Sequence, residues 1–590
     1  MSASTPRQIV LCCDGTNNNL TGGERDTNVV RLCQLLRTHG DAGQLVFYDP
    51  GVGNPGELPG ATVWDSINRY GERLAGLAFG RGVYENMAEC YQFLMSNYQP
   101  GDELYVFGFS RGAFTARSVA GLVNMFGILQ PHMVSMVPSL LHVYFSDRDT
   151  RGDSARRIAR QATQLFADPF EQHVNIHFVG VWDTVASVGM PPFSKQFTAR
   201  ADVGGKRFLN VRQALALDEY RAQFAPRQYV DPNGEYRSDR GLPVSLKQLW
   251  FSGAHCDVGG GYTPDRLALA DRAMGWLVGE AVECGLRLYT ADGQPMNDQQ
   301  VLEALYPDPP NPKPLVPVVH SELHRTPLWA VTGMKVRTPG LVPDGVGGHQ
   351  TIPAEEHPSV QRLKVDYPED TDWARPQPWL PMLAWCLAFL VLYGGIGQML
   401  LKSEHYAQLS FWADLWQALS SYPAFLATNL DFVHWQMLWF YDGLSVVETG
   451  QIWEGLITGL QQVNLFGSPR WSLLWDLGLI VAYAHVLSRF CVAGFARGAG
   501  LRRVGQPVSR LLNRLGWALP LMVFSDVGEN LFTWLTITLT HSEYFFVAAV
   551  TGALMSLLAL LKWLGLVGVL WLALWPGRAS GRVDLAPPGA

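Results

Sequence analysis

Charge is what this chain has least of. Asp, Glu, Lys and Arg make up 16% of its 590 residues, and the 26 positions from Pro376 to Leu401 contain none of them. The charge that is present is not basic: the formal net charge is -7 and the pI about 6.1. No field draws the chain to a polyanion, so nucleic acid is not an expected partner. The eight cysteines, at positions 12, 13, 33, 90, 256, 284, 386 and 491, form no CxxC and no metal-ligand spacing. They read as reduced thiols in apolar surroundings, and neither a disulfide framework nor a metal or cofactor is expected. The few residues before Gln8 hold no apolar core and no small-residue cleavage site, so no secretory leader is expected. A hydrophobic content of 48% with 20 Trp excludes a disordered chain.

The scarcity of charge is uneven. Residues 1–375 carry 75 of the 97 charged side chains, whereas 14 of the 20 Trp lie after Pro376. Two solvents are implied, water for the first part and lipid for the second. The division expected is a catalytic domain over 1–372 and an apolar helical region over 373–590. Four segments of that region are candidates to span or insert into a membrane: 376–401, 471–496, 515–540 and 544–575. Asp526 and Glu529 interrupt the third, and Lys562 the fourth; such groups are costly in lipid and should face a bundle interior. Arg489, Arg497, Arg502, Arg503, Arg510 and Arg514 cluster between the second and third, as a cytoplasmic loop would. The Trp-rich stretch 403–470 reads as interfacial helices on the opposite side. A large buried bundle in a soluble protein is the alternative.

Residues before 280 alternate short β-branched or aromatic runs with longer helical stretches, the pattern of βαβ units and a mostly parallel sheet with helices on both faces. Strands are expected at Gln8–Cys13, Gln44–Tyr48, Glu103–Phe109, Val174–Trp182 and Leu246–Ser252. A helix is expected at Tyr84–Tyr98. The proline-rich and then glycine-rich tract 303–348 reads as irregular chain wrapping the catalytic domain.

Gly108-Phe109-Ser110-Arg111-Gly112 matches G-x-S-x-G and stands between a buried strand and a helix. Strand, sharp turn and helix are what a nucleophile elbow needs, and the expectation is an α/β-hydrolase with Ser110 raised above the sheet. A serine hydroxyl requires a histidine base, and the histidine an orienting carboxylate. Asp183, after the strand at 174–182, and His255, after the strand at 246–252, come in the required order, at the sheet edge where ligands of open α/β sheets bind. The backbone N–H of Arg111 and one from the loop at Gly15 or Thr16 would form the oxyanion hole, with Asp14 in support. Asp257 would either orient the histidine or hold the neighbouring glycine loop. His173 and His177 share a strand face but lack a third metal ligand.

With those residues placed, the chain resembles the DUF2235 family of α/β-hydrolases, which includes the Tle1-like phospholipase effectors of type VI secretion. The likeness rests on LCCDGTNNN (11–19), NVVRL (28–32), FYDPGVGN (47–54), VYENMAECYQFL (83–94), ELYVFGFSRGAFTARSVAGL (103–122), FVGVWDTVASVG (178–189), ALALDEYRAQFAP (214–226) and LWFSGAHCDVGGGY (249–262). It implies a Ser110, Asp183, His255 triad and hydrolysis of carboxylic esters, with phospholipid as substrate. A secretion-system spike and an immunity protein are implied as partners. The expectation is a membrane-associated lipase or phospholipase. It is either resident in a bacterial inner membrane with its catalytic domain cytoplasmic, or exported against a target-cell membrane. The alternative is a non-catalytic, membrane-anchored pseudo-hydrolase acting as a binding module.

Overall fold

The computed structural model describes residues 6–15, 25–36, 43–51, 81–145, 148–167, 174–185, 187–188, 195–196, 206–230, 245–264, 267–306, 319–343, 349–360, 469–499, 506–541 and 545–574. The expected segment at 376–401 and all but the last two residues of the one at 403–470 lie outside these residues, as do Thr16 and His173. The chain divides into two compact units, Met1–Ser321 with Arg337–Asp372, and Glu322–Val336 with Trp373–Ala590.

The first unit is built on seven strands: β1 (Gln8–Cys13), β2 (Gln44–Asp49), β3 (Glu103–Phe109), β4 (Ile176–Trp182), β5 (Phe208–Ala216), β6 (Ser245–Phe251) and β7 (Glu355–Glu356). They lie in the order β7-β6-β5-β4-β3-β1-β2, with every neighbouring pair parallel. Alternation along the strands sorts the core into two layers. Ile9, Leu11, Leu104 and Val106 pack with helices α2 (Arg81–Asn97) and α3 (Ser110–Phe126) on one face. Val10, Tyr105, Phe107 and Trp182 pack with α1 (Asn28–Gln34) and a helix at Ala268–Glu283 on the other. This is the α/β fold expected, and the strands at 8–13 and 103–109 have the bounds read from the sequence.

Strand β5 was not anticipated. Asn210, Arg212 and Gln213 break its apolar run, and the sheet buries Arg212 and Gln213 nonetheless because each has partners. Asn210 Nδ2 donates to the His177 carbonyl at 3.0 Å. Arg212 donates to Glu280 at 2.6 Å and to the Ser245 carbonyl at 2.9 Å. Gln213 donates to the Arg227 carbonyl at 2.8 Å. A buried polar side chain is tolerated only when paired, and the pairing is invisible in a strand's own sequence.

In the second unit, helices span Pro469–Ala499, Gln506–Leu515, Ala518–His541 and Phe545–Ala573. Asp526 and Glu529 are buried there, as anticipated, and Lys562 holds both, at 3.1 and 2.6 Å. Tyr483 Oη donates to Asp526 at 2.5 Å. Among the described residues one helical stretch, Val550–Ala573, is long and apolar enough to cross a membrane, with a mean hydropathy of 2.1.

Removing one member of a buried ion cluster leaves like charges face to face. Lys562→Met should therefore destabilise the second unit by about 3–5 kcal/mol, read from denaturant unfolding of the full chain in detergent. The triple variant Asp526→Asn, Glu529→Gln, Lys562→Met should recover most of that loss.

Candidate active site

The carboxyl ends of β1, β3, β4 and β6 carry the groups singled out from the sequence. Ser110 is the first residue of α3 and has φ 58. That left-handed conformation is costly for a residue with a Cβ, and it is the strained turn an exposed nucleophile needs. The two glycines of the motif have a steric cause. A Cβ on Gly108 would run into the backbone of Gly112 and Ala113, and one on Gly112 would overlap the carbonyl oxygens of Cys13 and Asp14. Strand β3, the start of α3 and the end of β1 pass too close for side chains, which seats the serine turn beside the Asp14 loop.

Asp183 follows β4 and is fully buried, with φ 38. Its Oδ2 lies 2.5 Å from His255 Nδ1, and its Oδ1 accepts the Ala216 N–H at 3.0 Å. Arg337 also grips the carboxylate with both guanidinium nitrogens, at 2.6 Å to Oδ1 and 3.0 Å to Oδ2. The same guanidinium donates to the carbonyls of Ala216 and Phe224 at 2.7 and 2.5 Å. Burial alone would push the Asp183 carboxyl up, but Arg337 and then His255 more than offset it and hold it well below the usual carboxylate range.

His255 is buried, opening the short helix His255–Gly259. The Phe109 ring stacks on it with centroids 4.6 Å apart, and Phe224 meets it edge-on at 5.0 Å. Its backbone N–H reaches Glu219 at 3.4 Å, and Glu219 pairs with Arg221 at 2.7 Å. Its outer nitrogen, Nε2, is buried and has no hydrogen-bond partner among the described residues, so no hydrogen bond joins it to Ser110.

The remaining expected residues take supporting places. Asp14 Oδ1 accepts the Gly15 N–H at 2.7 Å, and Oδ2 accepts the hydroxyls of Thr27 and Tyr48, each at 2.9 Å. The Gly15 N–H, expected as an oxyanion donor, here donates to Asp14. The Arg111 N–H belongs to the first turn of α3, whose amides have no partner within the helix. Asp257 accepts the N–H groups of Ala254 and His320 at 2.8 and 2.9 Å and pairs with His320 Nδ1 at 2.6 Å. His177 bonds the Cys284 carbonyl at 2.9 Å.

Arg337, Glu219 and His320 were missed. Arg337 and His320 sit in the tract read as irregular chain, where no periodicity marks them. Glu219 lies inside a segment quoted for the family resemblance, but nothing local ties it to a histidine 36 residues away.

A carboxyl held low in the folded state contributes stability that is complete above its unfolded pKa, about 3.9, and is lost as pH falls through the folded value. Arg337→Met removes the main source of that depression. Its acid-unfolding midpoint, followed by near-UV circular dichroism, should rise by about one to three pH units relative to wild type. Gly112→Ala should disrupt the serine turn outright, seen as loss of soluble folded protein.

Residues 7–280 match the family described as T6SS, Phospholipase effector Tle1-like, catalytic domain. The uncharacterized protein YEL023C of Saccharomyces cerevisiae is 31% identical over 229 residues, which is 38% of this chain and 32% of that protein. The chain thus spans about a third of the length of that curated relative. A crystal structure of an uncharacterized protein from Pseudomonas aeruginosa aligns at a TM-score of 0.30 with 20% identity, covering 51% of this chain and 48% of that one. The resemblance read from the eight sequence segments is borne out over residues 7–280, which match the model of the Tle1-like phospholipase-effector catalytic domain.

Proposed function

We propose that this chain is a serine ester hydrolase of the phospholipase type, working at a membrane surface. The observation that carries the reading is the buried Asp183–His255 pair at 2.5 Å, whose outer nitrogen is bare, behind a serine held left-handed at the head of a helix. In this reading Ser110 Oγ attacks the acyl carbonyl and passes its proton to His255 Nε2. Asp183 keeps the imidazole in the right tautomer and stabilises the imidazolium. The Arg111 N–H and the dipole of α3 stabilise the oxyanion. His255 then returns the proton to the departing alcohol, and a water molecule, activated by the same nitrogen, releases the fatty acid. Catalytic hydrogen bonds often tighten only when substrate is present, which accommodates the open Ser110–His255 contact.

Substrate class follows from the family match and from the second unit. Glycerophospholipids suit a catalytic domain of phospholipase-effector type. Leu564, Val567, Leu570 and Trp571 are each about half exposed on the long apolar helix, a surface that lipid would cover. A chain docked on its substrate needs little affinity for single lipids. The family points to export against a target membrane, with a secretion spike and an immunity protein as partners. The arginine cluster between the second and third apolar segments favours residence in the inner membrane with the catalytic unit cytoplasmic.

A second reading, a pseudo-hydrolase that binds lipid or protein without turnover, is favoured by the missing Ser110–His255 hydrogen bond. Mass spectrometry of lipid vesicles treated with wild type and with Ser110→Ala separates the two. The hydrolase reading expects released fatty acid and lysolipid from wild type only, with fluorophosphonate labelling of Ser110. Identical lipid profiles for the two proteins would leave the binding module. Asp183→Asn should lower kcat by about 10^4 and, by leaving the buried Arg337 without its counter-charge, also lower the stability of the first unit.

A further inference from the structure

Three groups that the hydrolase chemistry leaves unused converge where β1 and β2 end against α2. They are the Cys13 thiol, the Cys90 thiol and the carboxylate of Asp49, and their donor atoms all lie within 4.8 Å of one another. The two sulfurs are 3.7 Å apart. Cys13 and Cys90 are fully buried and Asp49 is 3% exposed. The carboxylate is presented one oxygen at a time. Asn86 Nδ2 and the Gly51 N–H donate to Oδ1, at 2.5 and 3.2 Å. Oδ2 is buried and has no hydrogen-bond partner among the described residues.

A buried carboxylate with one bare oxygen, beside two thiols, asks for a cation. We propose that Cys13, Cys90 and Asp49 bind a thiophilic divalent metal ion, with zinc as the best match, through both sulfurs and Asp49 Oδ2. Tetrahedral zinc with Zn–S bonds near 2.3 Å sets two ligating sulfurs about 3.8 Å apart, close to the spacing found. Two thiolates and one carboxylate select zinc over magnesium or calcium, whose preferred ligands are oxygens alone. Asn86 and Gly51 fix the non-ligating oxygen, the orienting task of an outer shell. On binding, the two thiols release their protons to solvent, two Zn–S bonds and one Zn–O bond form, and the fourth position stays open to water. The ligands come from two strands and a helix, so no spacing in the sequence marks them. The site would staple β1, β2 and α2 immediately before Asp14, and it is independent of the hydrolase reading.

The opposite face of β1 supplies a built-in control. Cys12 bonds the Cys33 thiol there, but the nearby carboxylate, Asp14, has both oxygens occupied. The test is refolding of the full chain in detergent, under reducing conditions, with Zn²⁺ or Co²⁺ present. Metal content is read by plasma mass spectrometry and Co²⁺ coordination by its thiolate charge-transfer absorption. Wild type should bind one equivalent and show the thiolate band. Cys33→Ser should keep both, Cys90→Ser and Asp49→Asn should lose the tight site, and Asn86→Ala should bind about 10–100-fold more weakly. Zinc should also raise the melting temperature of wild type, and magnesium should not. Refolded wild type with only background metal and no thiolate band overturns the proposal, whether or not the variants fold. A band that survives Cys90→Ser but disappears in Cys33→Ser overturns it as well.

Discussion

The first unit is organised around one carboxylate cut off from water. Asp183 occupies a left-handed turn at the end of the central strand β4, and such a charge is stable there only if every lone pair is answered. Arg337 from late in the chain, the Ala216 amide from the neighbouring strand and the His255 imidazole from beyond β6 supply the answers. Three stretches distant in sequence are thereby pinned to one point on the sheet edge. Loss of any donor would leave a partly bare buried charge, which costs more than the missing bond is worth. The electrostatic requirement of a single side chain thus sets the geometry of a region that packing alone would leave loose.

Much of this architecture was legible because the relevant signals are local. Buried parallel strands announce themselves as short apolar runs, and the G-x-S-x-G glycines sit where strand and helix come within backbone contact. Asp183 and His255 are marked by their places just after the later strands. What escaped is what depends on partners elsewhere. Strand β5 hides behind Arg212 and Gln213, whose acceptability rests on Glu280, Ser245 and Arg227. Arg337 lies in chain with no period, and its importance appears only when β4 and β5 are already in place. The Gly15 amide donates to Asp14, one residue before it; a short acidic side chain capping its own loop is hard to tell from a loop left open.

The second unit repeats the same electrostatic logic. Asp526, Glu529 and Lys562 stood out as charges misplaced in apolar segments, and the helices turn them toward one another. One lysine facing two carboxylates, with Tyr483 on the other oxygen of Asp526, defines a single rotational setting for helices whose surfaces are mostly apolar. Leu and Val contacts could slide by a turn at small cost; an ion cluster could not.

The aromatic rings around His255 carry a consequence of their own. Phe109 lies flat along one side of the imidazole and Phe224 closes another, while Gly259 is bare because the Phe109 ring fills the space a methyl group would take. So confined, the imidazole has no room to turn over and exchange its nitrogens. The residue that immediately precedes Ser110 therefore acts as a bearing plate for the imidazole, and any change that thins the plate would give the ring a second orientation.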